Sequence, residues 1–262
     1  MAAARFKVRG WLIRVVGGTL LALASCTCTH SASAYRPFDG TDAAVADVGS
    51  LELELGPAQF YGRAGTRYLI APAAVLILGV LPNLEVVVEG AQRIVSHGPD
   101  DEERMRLLDT QALLKGILRQ GALQGKSGPS VAVETGVLVP EVRGVSGFGA
   151  QVNLIESHRY RLGVLHLNEG AELTRAGQWV LVGSAIFEAS PTLVFRPVAE
   201  ILAEREFGAG SAYSVLFGAI WSASEALSVD GGVRRVWEDD ARVAEVRFGF
   251  SWGVPVWTRS SF

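Results

Sequence analysis

A period of two governs this sequence. From Leu51 onward, apolar and polar residues alternate along one run after another, and turn residues separate the runs. Leu51, Leu53 and Leu55 enclose Glu52 and Glu54. Leu84, Val86 and Val88 alternate with Glu85 and Glu89, and Val131, Val133, Thr135 and Val137 with Ala132, Glu134 and Gly136. Later runs are as regular: Trp179, Leu181, Gly183, Ala185 and Phe187 oppose Ser184 and Glu188, and Ala244, Val246, Phe248, Phe250 and Trp252 oppose Glu245, Arg247, Gly249, Ser251 and Gly253. Successive side chains of a strand point to opposite faces, so each run has one apolar and one polar face. Hydrophobic residues make up 49% of the chain and the mean hydropathy is +0.26. Yet nothing after residue 34 offers the ~20 consecutive apolar residues of a transmembrane helix. Abundant but dispersed apolar residues are what alternating strands require.

The first 34 residues read as a signal peptide. Arg5, Lys7, Arg9 and Arg14 form a basic start, Val15 to Ala24 a short apolar stretch, and Ala32-Ser33-Ala34 a cleavage signal. Cleavage is expected after Ala34; the alternative is lipidation at Cys26, which Leu23-Ala24-Ser25 precedes as in a lipobox. Loss of 1–34 removes four of the 24 basic residues and no acid, leaving 20 Lys and Arg against 27 Asp and Glu, net −7. Both cysteines leave as well, which excludes disulfides and cysteine zinc sites from the mature chain. An acidic chain without a basic cluster also argues against nucleic acid. Residues 35–48, short and polar, read as a periplasmic lead-in, and 49–262 as one β-domain.

Twelve strands are expected in that domain, at 49–61, 66–79, 82–95, 107–120, 129–142, 146–157, 159–170, 175–188, 192–206, 211–223, 225–237 and 241–254. Turn residues such as Pro82-Asn83, Arg143-Gly144, Ser190-Pro191 and Asp239-Asp240 separate them. Two segments fit less simply: 71–78 is apolar on both faces and contains Pro72, and 100–119 also permits an amphipathic helix. A soluble sheet alternates too, with its apolar face in a core. Three features favour the reverse. The strands are long enough to cross a membrane when tilted. Trp179, Phe187, Phe195, Trp221, Phe248 and Trp252 sit on the apolar faces, many toward strand ends, as girdles of a membrane barrel do. The polar faces are rich in Glu, Arg, Ser and Gly and poor in Lys. The expected fold is therefore all-β, an antiparallel up-and-down transmembrane β-barrel in the outer membrane of a Gram-negative cell. Its expected partners are outer-membrane lipid, the barrel insertion machinery and a small-molecule solute.

In such a barrel the polar faces line the lumen. They bring together Glu85, Glu89, Lys115, Arg119, Glu134, His166, Arg196, Glu200, Glu204, Asp230, Arg234, Glu245 and Arg247. This set admits two readings: a polar pathway whose charges select solutes, or an ion-paired network that fills and stiffens the lumen. Acids and bases are interspersed along the strands, which favours mutual pairing. Catalysis is not expected. There is no G-x-S-x-G element, no His pair with metal-ligand spacing, and Ser157 and His158, as neighbours on a strand, face opposite ways. No cofactor or metal is called for. Facing also sets expectations for substitution: Val246→Arg or Val229→Arg toward lipid should be costly, and Gly249→Ser or Ser228→Ala toward the lumen cheap. A third reading inverts the sheet, as a soluble or lipid-anchored periplasmic β-protein around an apolar ligand.

Several motifs carry a resemblance. Arg36-Pro37-Phe38, Gly40-Thr41-Asp42-Ala43, Leu51 to Pro57, Gly128-Pro129-Ser130 with Glu134, His166-Leu167-Asn168, Arg196-Pro197-Val198-Ala199-Glu200 and Gly218-Ala219-Ile220-Trp221 resemble bacterial outer-membrane proteins named as transporters, or as outer-membrane proteins of the phenol meta-degradation pathway. The resemblance implies a barrel of about twelve strands and passage of small, aromatic or apolar molecules. One feature departs from barrels generally: Phe262 suits a terminal insertion signal, but Ser260 and Thr258 stand where apolar residues are usual.

Overall fold

Long alternating runs joined by short turns leave each strand beside the next, and the remaining question is what covers the two outer edges. The computed structural model, which describes residues 36–63, 66–97, 103–238 and 242–257, answers it by closure. Twelve strands pair antiparallel in chain order, and the first pairs with the last. They are β1 (Ser50–Arg63), β2 (Thr66–Leu81), β3 (Leu84–His97), β4 (Met105–Arg119), β5 (Ser130–Leu138), β6 (Gly149–Arg159), β7 (Gly163–Leu173), β8 (Trp179–Ala189), β9 (Phe195–Glu206), β10 (Gly210–Ser222), β11 (Leu227–Glu238) and β12 (Arg242–Pro255). Residues 105–119 form a strand, not a helix. The signal peptide, with Cys26 and Ala34, and the terminal Thr258 to Phe262 lie outside the described residues.

The wall is apolar outside and polar inside. Phe60, Leu114, Leu181, Ile201, Phe217, Val229, Val246 and Phe248 are exposed, whereas the strand neighbours Lys115, Glu200, Asp230, Glu245 and Arg247 are buried. Trp179, Tyr213 and Trp237 ring one end of the wall, and Phe187, Phe195 and Trp221 the end where β1 starts and β12 ends. In hydrocarbon every backbone N–H and C=O must be paired within the protein, which a closed barrel achieves. A closed sheet with this polarity is an outer-membrane barrel, and the inverted, soluble arrangement is excluded.

Bulges interrupt the ladder at one height across neighbouring strands. Residues Gly56 and Pro57 of β1 face a single residue of β12, and Ala71 and Pro72 of β2 a single residue of β3. Asp109 and Thr110 of β4 face Gly90, with Asp109 at φ 53°. A bulge adds one residue and reverses facing beyond it. Phe60 therefore points outward where strict alternation from Leu55 would turn it in. This also accounts for the doubly apolar run around Pro72.

Candidate functional site: the lumen and its strap

Residues 36–49 run around the inside of the barrel as a strap. The path follows from the strap's own composition. Gly40, Ala43, Ala44 and Ala46 have little or no side chain, so the main chain can lie against the wall and offer it its N–H groups. A Cβ on Gly40 would stand 2.6 Å from Ser184 Oγ and 2.9 Å from Ile186 Cδ1.

Wall side chains take those N–H groups in order around the barrel. Asp39 and Gly40 donate to the two carboxylate oxygens of Glu200, at 3.1 and 2.9 Å. Thr41 exchanges two bonds with the Asn168 amide: its N–H donates to Oδ1 at 3.1 Å and its C=O accepts from Nδ2 at 3.0 Å. Ala43 donates to Ser157 Oγ at 2.9 Å, and Ala46 to Glu85 Oε2 at 2.6 Å. Gly49 then donates to the Gly79 carbonyl at 2.8 Å, and the chain enters β1. The strap thus touches β9, β7, β6, β3 and β2 in turn. Its alanines fill apolar gaps in the inner wall, Ala43 against Ala132 and Ile155, and Ala46 against Ile77, Val87 and Leu113.

Ion pairs hold the path at its start and at its middle. At the start, Arg36 Nε lies 3.6 Å from Asp230 Oδ2, and its Nη2 donates to the Phe248 carbonyl at 3.1 Å. The Asp39 carboxylate sits between Arg247, at 2.9 Å, and Arg234. Lumenal burial opposes ionisation of Asp39, but Arg247, Arg234 and Arg36 overcome it and hold its carboxyl below the usual carboxylate range. Further along, Lys115 is fully buried. Its Nζ donates to Thr41 Oγ1 at 3.1 Å and lies 3.5 Å from both Asp42 and Glu85.

Of the thirteen residues expected in the lumen, Glu85, Lys115, Glu134, His166, Glu200, Asp230, Glu245 and Arg247 are buried inside the wall. Glu89 accepts from Gln111. Arg196 and Arg234 are ion-paired inside, Arg196 to Glu188 at 2.9 Å. Glu204 shares the inward face of β9 with Glu200 but lies exposed toward the mouth, and Arg119 stands on the exposed rim beside Gly128. Lys115 is in register with both Glu85 and Glu134, and Glu52 and Glu54 are buried on the nearby β1, whereas on β9, β11 and β12 Arg196, Arg234 and Arg247 share the strands with Glu200, Glu204, Asp230 and Glu245. Glu52 and Glu54 were visible as the polar face of the first strand and belong to the same lumen.

His166 does meet a serine, but across strands. Ser157 and His166 are in register, with Oγ 2.8 Å from Nδ1, and Glu188 lies 3.9 Å from Nε2. Ser157 Oγ is fully buried and already accepts the Ala43 N–H, so this trio anchors the strap. At the end remote from β1's start, Arg175 of the β7–β8 connection donates to the carbonyls of Val139 and Thr110, both at 2.7 Å, and draws that connection onto the β5–β6 loop.

No family model and no curated protein matches the chain. Among solved structures it is similar to the COG4313 outer membrane channel from Pseudomonas putida F1. That TM-score is 0.62 at 6% identity, over 83% of this chain and 100% of that one. The KdgM porin follows at TM-score 0.49 and 8% identity, over 78% and 98%, and the CymD monoaromatic hydrocarbon channel at 0.41 and 8%, over 82% and 90%. At such identities the likeness is one of fold.

Proposed function

We propose that the chain is a passive outer-membrane channel for small molecules, with a pathway through the lumen between the strap and the wall. The observation that carries this reading is the strap's mode of attachment. It is held by individual hydrogen bonds and ion pairs to Glu85, Asn168, Ser157, Glu200, Arg234 and Arg247. Each of these is exchangeable with water or a polar solute, and bonds of this kind are worth only about 0.5–3 kcal/mol net. Apolar packing of the strap against the wall is limited to Ala43 and Ala46, so its hold is mainly polar. The pathway set is the lumen residues named above, with Glu52 and Glu54 added. The motif resemblance to phenol meta-degradation outer-membrane proteins supports small aromatic solutes as the cargo class. A signal peptide cleaved at Ala34 and delivery to the barrel insertion machinery complete the proposal.

Swelling of proteoliposomes in isotonic solutions of small aromatic and aliphatic solutes tests it. Uptake faster than in protein-free vesicles is the expected result. A second reading, a barrel sealed by its strap, draws on the number of strap contacts, and it predicts no uptake of any solute.

A further inference from the structure

Asp39 hangs from the strap between two arginines of the wall. Arg247 Nη1 donates to Oδ1 at 2.9 Å, and Arg234 Nη1 donates to Oδ2. Arg234 is in register with Glu245, and Arg247 with Gly232, so the two guanidiniums rise side by side from β11 and β12. Each is also held by the wall, although Arg247 Nη1 donates to the strap's Pro37 carbonyl at 2.7 Å as well. Arg234 Nη2 donates to Ser214 Oγ at 2.9 Å and its Nη1 lies 3.8 Å from Glu245, while Arg247 Nε donates to Glu245 at 2.6 Å. Two prepositioned guanidiniums, one for each oxygen, match the geometry of a carboxylate, and charge-assisted bonds of this kind are the strong ones. The Asp39 side chain keeps 29% of its surface exposed, so the cradle opens onto the lumen and is not closed behind the strap.

The surrounding charges define what fits. Glu245 holds Arg234 and Arg247 from the wall side, so a carboxylate in the place of Asp39 meets one guanidinium at each oxygen. Asp230 and Glu200 stand at the edge of the cradle. Arg36 now faces the first, and the N–H groups of Asp39 and Gly40 occupy the second. Three acids around two arginines disfavour a dianion and accept hydrogen-bond donors beside the bound carboxylate. We propose that the Arg234–Arg247 pair is a binding site for the carboxylate of a small monocarboxylic acid, and that Asp39 occupies it at rest, so that the strap competes with solute. This rests on the channel reading only in that solute must reach the lumen.

Calorimetric titration of sodium benzoate into the full chain, refolded in detergent, tests the site without relying on transport. The comparison set is wild type, Asp39→Asn, and Asp39→Asn with Arg234→Gln, with neutral benzamide as control and faster unboiled gel mobility as proof of folding. Asp39→Asn frees the cradle and should bind benzoate at least about tenfold more tightly than wild type, the loss of one charge-assisted competitor. Arg234→Gln should abolish that gain, and benzamide should bind none of the proteins detectably. If Arg234→Gln does not fold, Arg234→Lys, which keeps the charge and loses the planar fork, should give a smaller loss in the same direction. Equal benzoate affinity in wild type and Asp39→Asn, indifference to Arg234, or equal binding of benzamide overturns the proposal. Barrels that show the binding pattern and admit no solute would retain the site and remove the channel; transport without the pattern would do the reverse.

Discussion

Arg36 and Gly249 share one space: the Arg36 guanidinium lies where a side chain on Gly249 would start. A Cβ there would overlap the guanidinium and stand 2.8 Å from Asp230 Oδ2, and Gly56 on β1 leaves the same opening from the other side. Facing the lumen is therefore not a licence for substitution at this position. Gly249→Ser, cheap on facing alone, is expected to evict Arg36 and release the start of the strap while the wall stays closed. The unboiled gel shift should persist, and protease cleavage in residues 36–42 should become faster. Unchanged protection of that segment would remove Arg36 from the strap's anchorage.

Facing does decide the outer wall. Val246 is 38% exposed to the lipid side, between the buried Glu245 and Arg247. Val246→Arg should lower barrel stability by about 2–4 kcal/mol, as cations near the bilayer midplane do. Ser228→Ala, on the inward face of β11, should cost under about 1 kcal/mol. Urea unfolding in lipid vesicles measures both, and equal costs would contradict the assignment of faces.

Lys115 holds together acids that would otherwise face each other. It lies 3.5 Å from Glu85 and Asp42 and is fully buried. Removing one partner of a buried ion pair leaves the other charge uncompensated, at about 3–5 kcal/mol. Lys115→Met should destabilise on that order, and Glu85→Gln should recover part of the loss in the double variant. Additive losses would mean that the two do not act as a pair.

Asp39 makes strap docking sensitive to acid. Its carboxyl is held below the usual range, so the docked strap favours the ionised form. That contribution is complete above the carboxyl's free value and is lost as pH falls through the lowered one. The difference in strap mobility between wild type and Asp39→Asn, read from a spin label at Val45, should stay constant through the ordinary carboxylate range and shrink only below it. In Asp39→Asn the label should be more mobile already at neutral pH, and its acid transition should be weaker.

The wall could be read from sequence because period two is a local property. Each strand's facing is set by its own residues, and the expected strands match the observed ones except near their ends. Strand β5 stops at Leu138, short of 142, where the chain turns into the loop that Arg175 gathers. The bulges were legible only as irregularities around Pro72 and 100–119. The strap was not legible at all. Its bonds to the wall join residues 30 to 212 positions apart, from Gly49 with Gly79 to Arg36 with Phe248, and a main chain that donates N–H groups to distant carboxylates, as Ala46 does to Glu85, has no periodicity to detect. Its one local signal is the run of Gly40, Ala43, Ala44 and Ala46, small residues beside the charged Arg36, Asp39 and Asp42. Ser157 with His166 was hidden for a related reason: register, not adjacency, brings them together.

On the proposed function, solute passes through a lumen narrowed by a displaceable strap. Single-channel recording of the full chain in planar bilayers, wild type beside Asp39→Asn, tests it most directly. Wild type should give small, discrete conductance steps, and the variant larger or longer openings. Silence from both, in preparations whose unboiled gel mobility proves them folded, would contradict it and leave a barrel sealed by its own N-terminal segment.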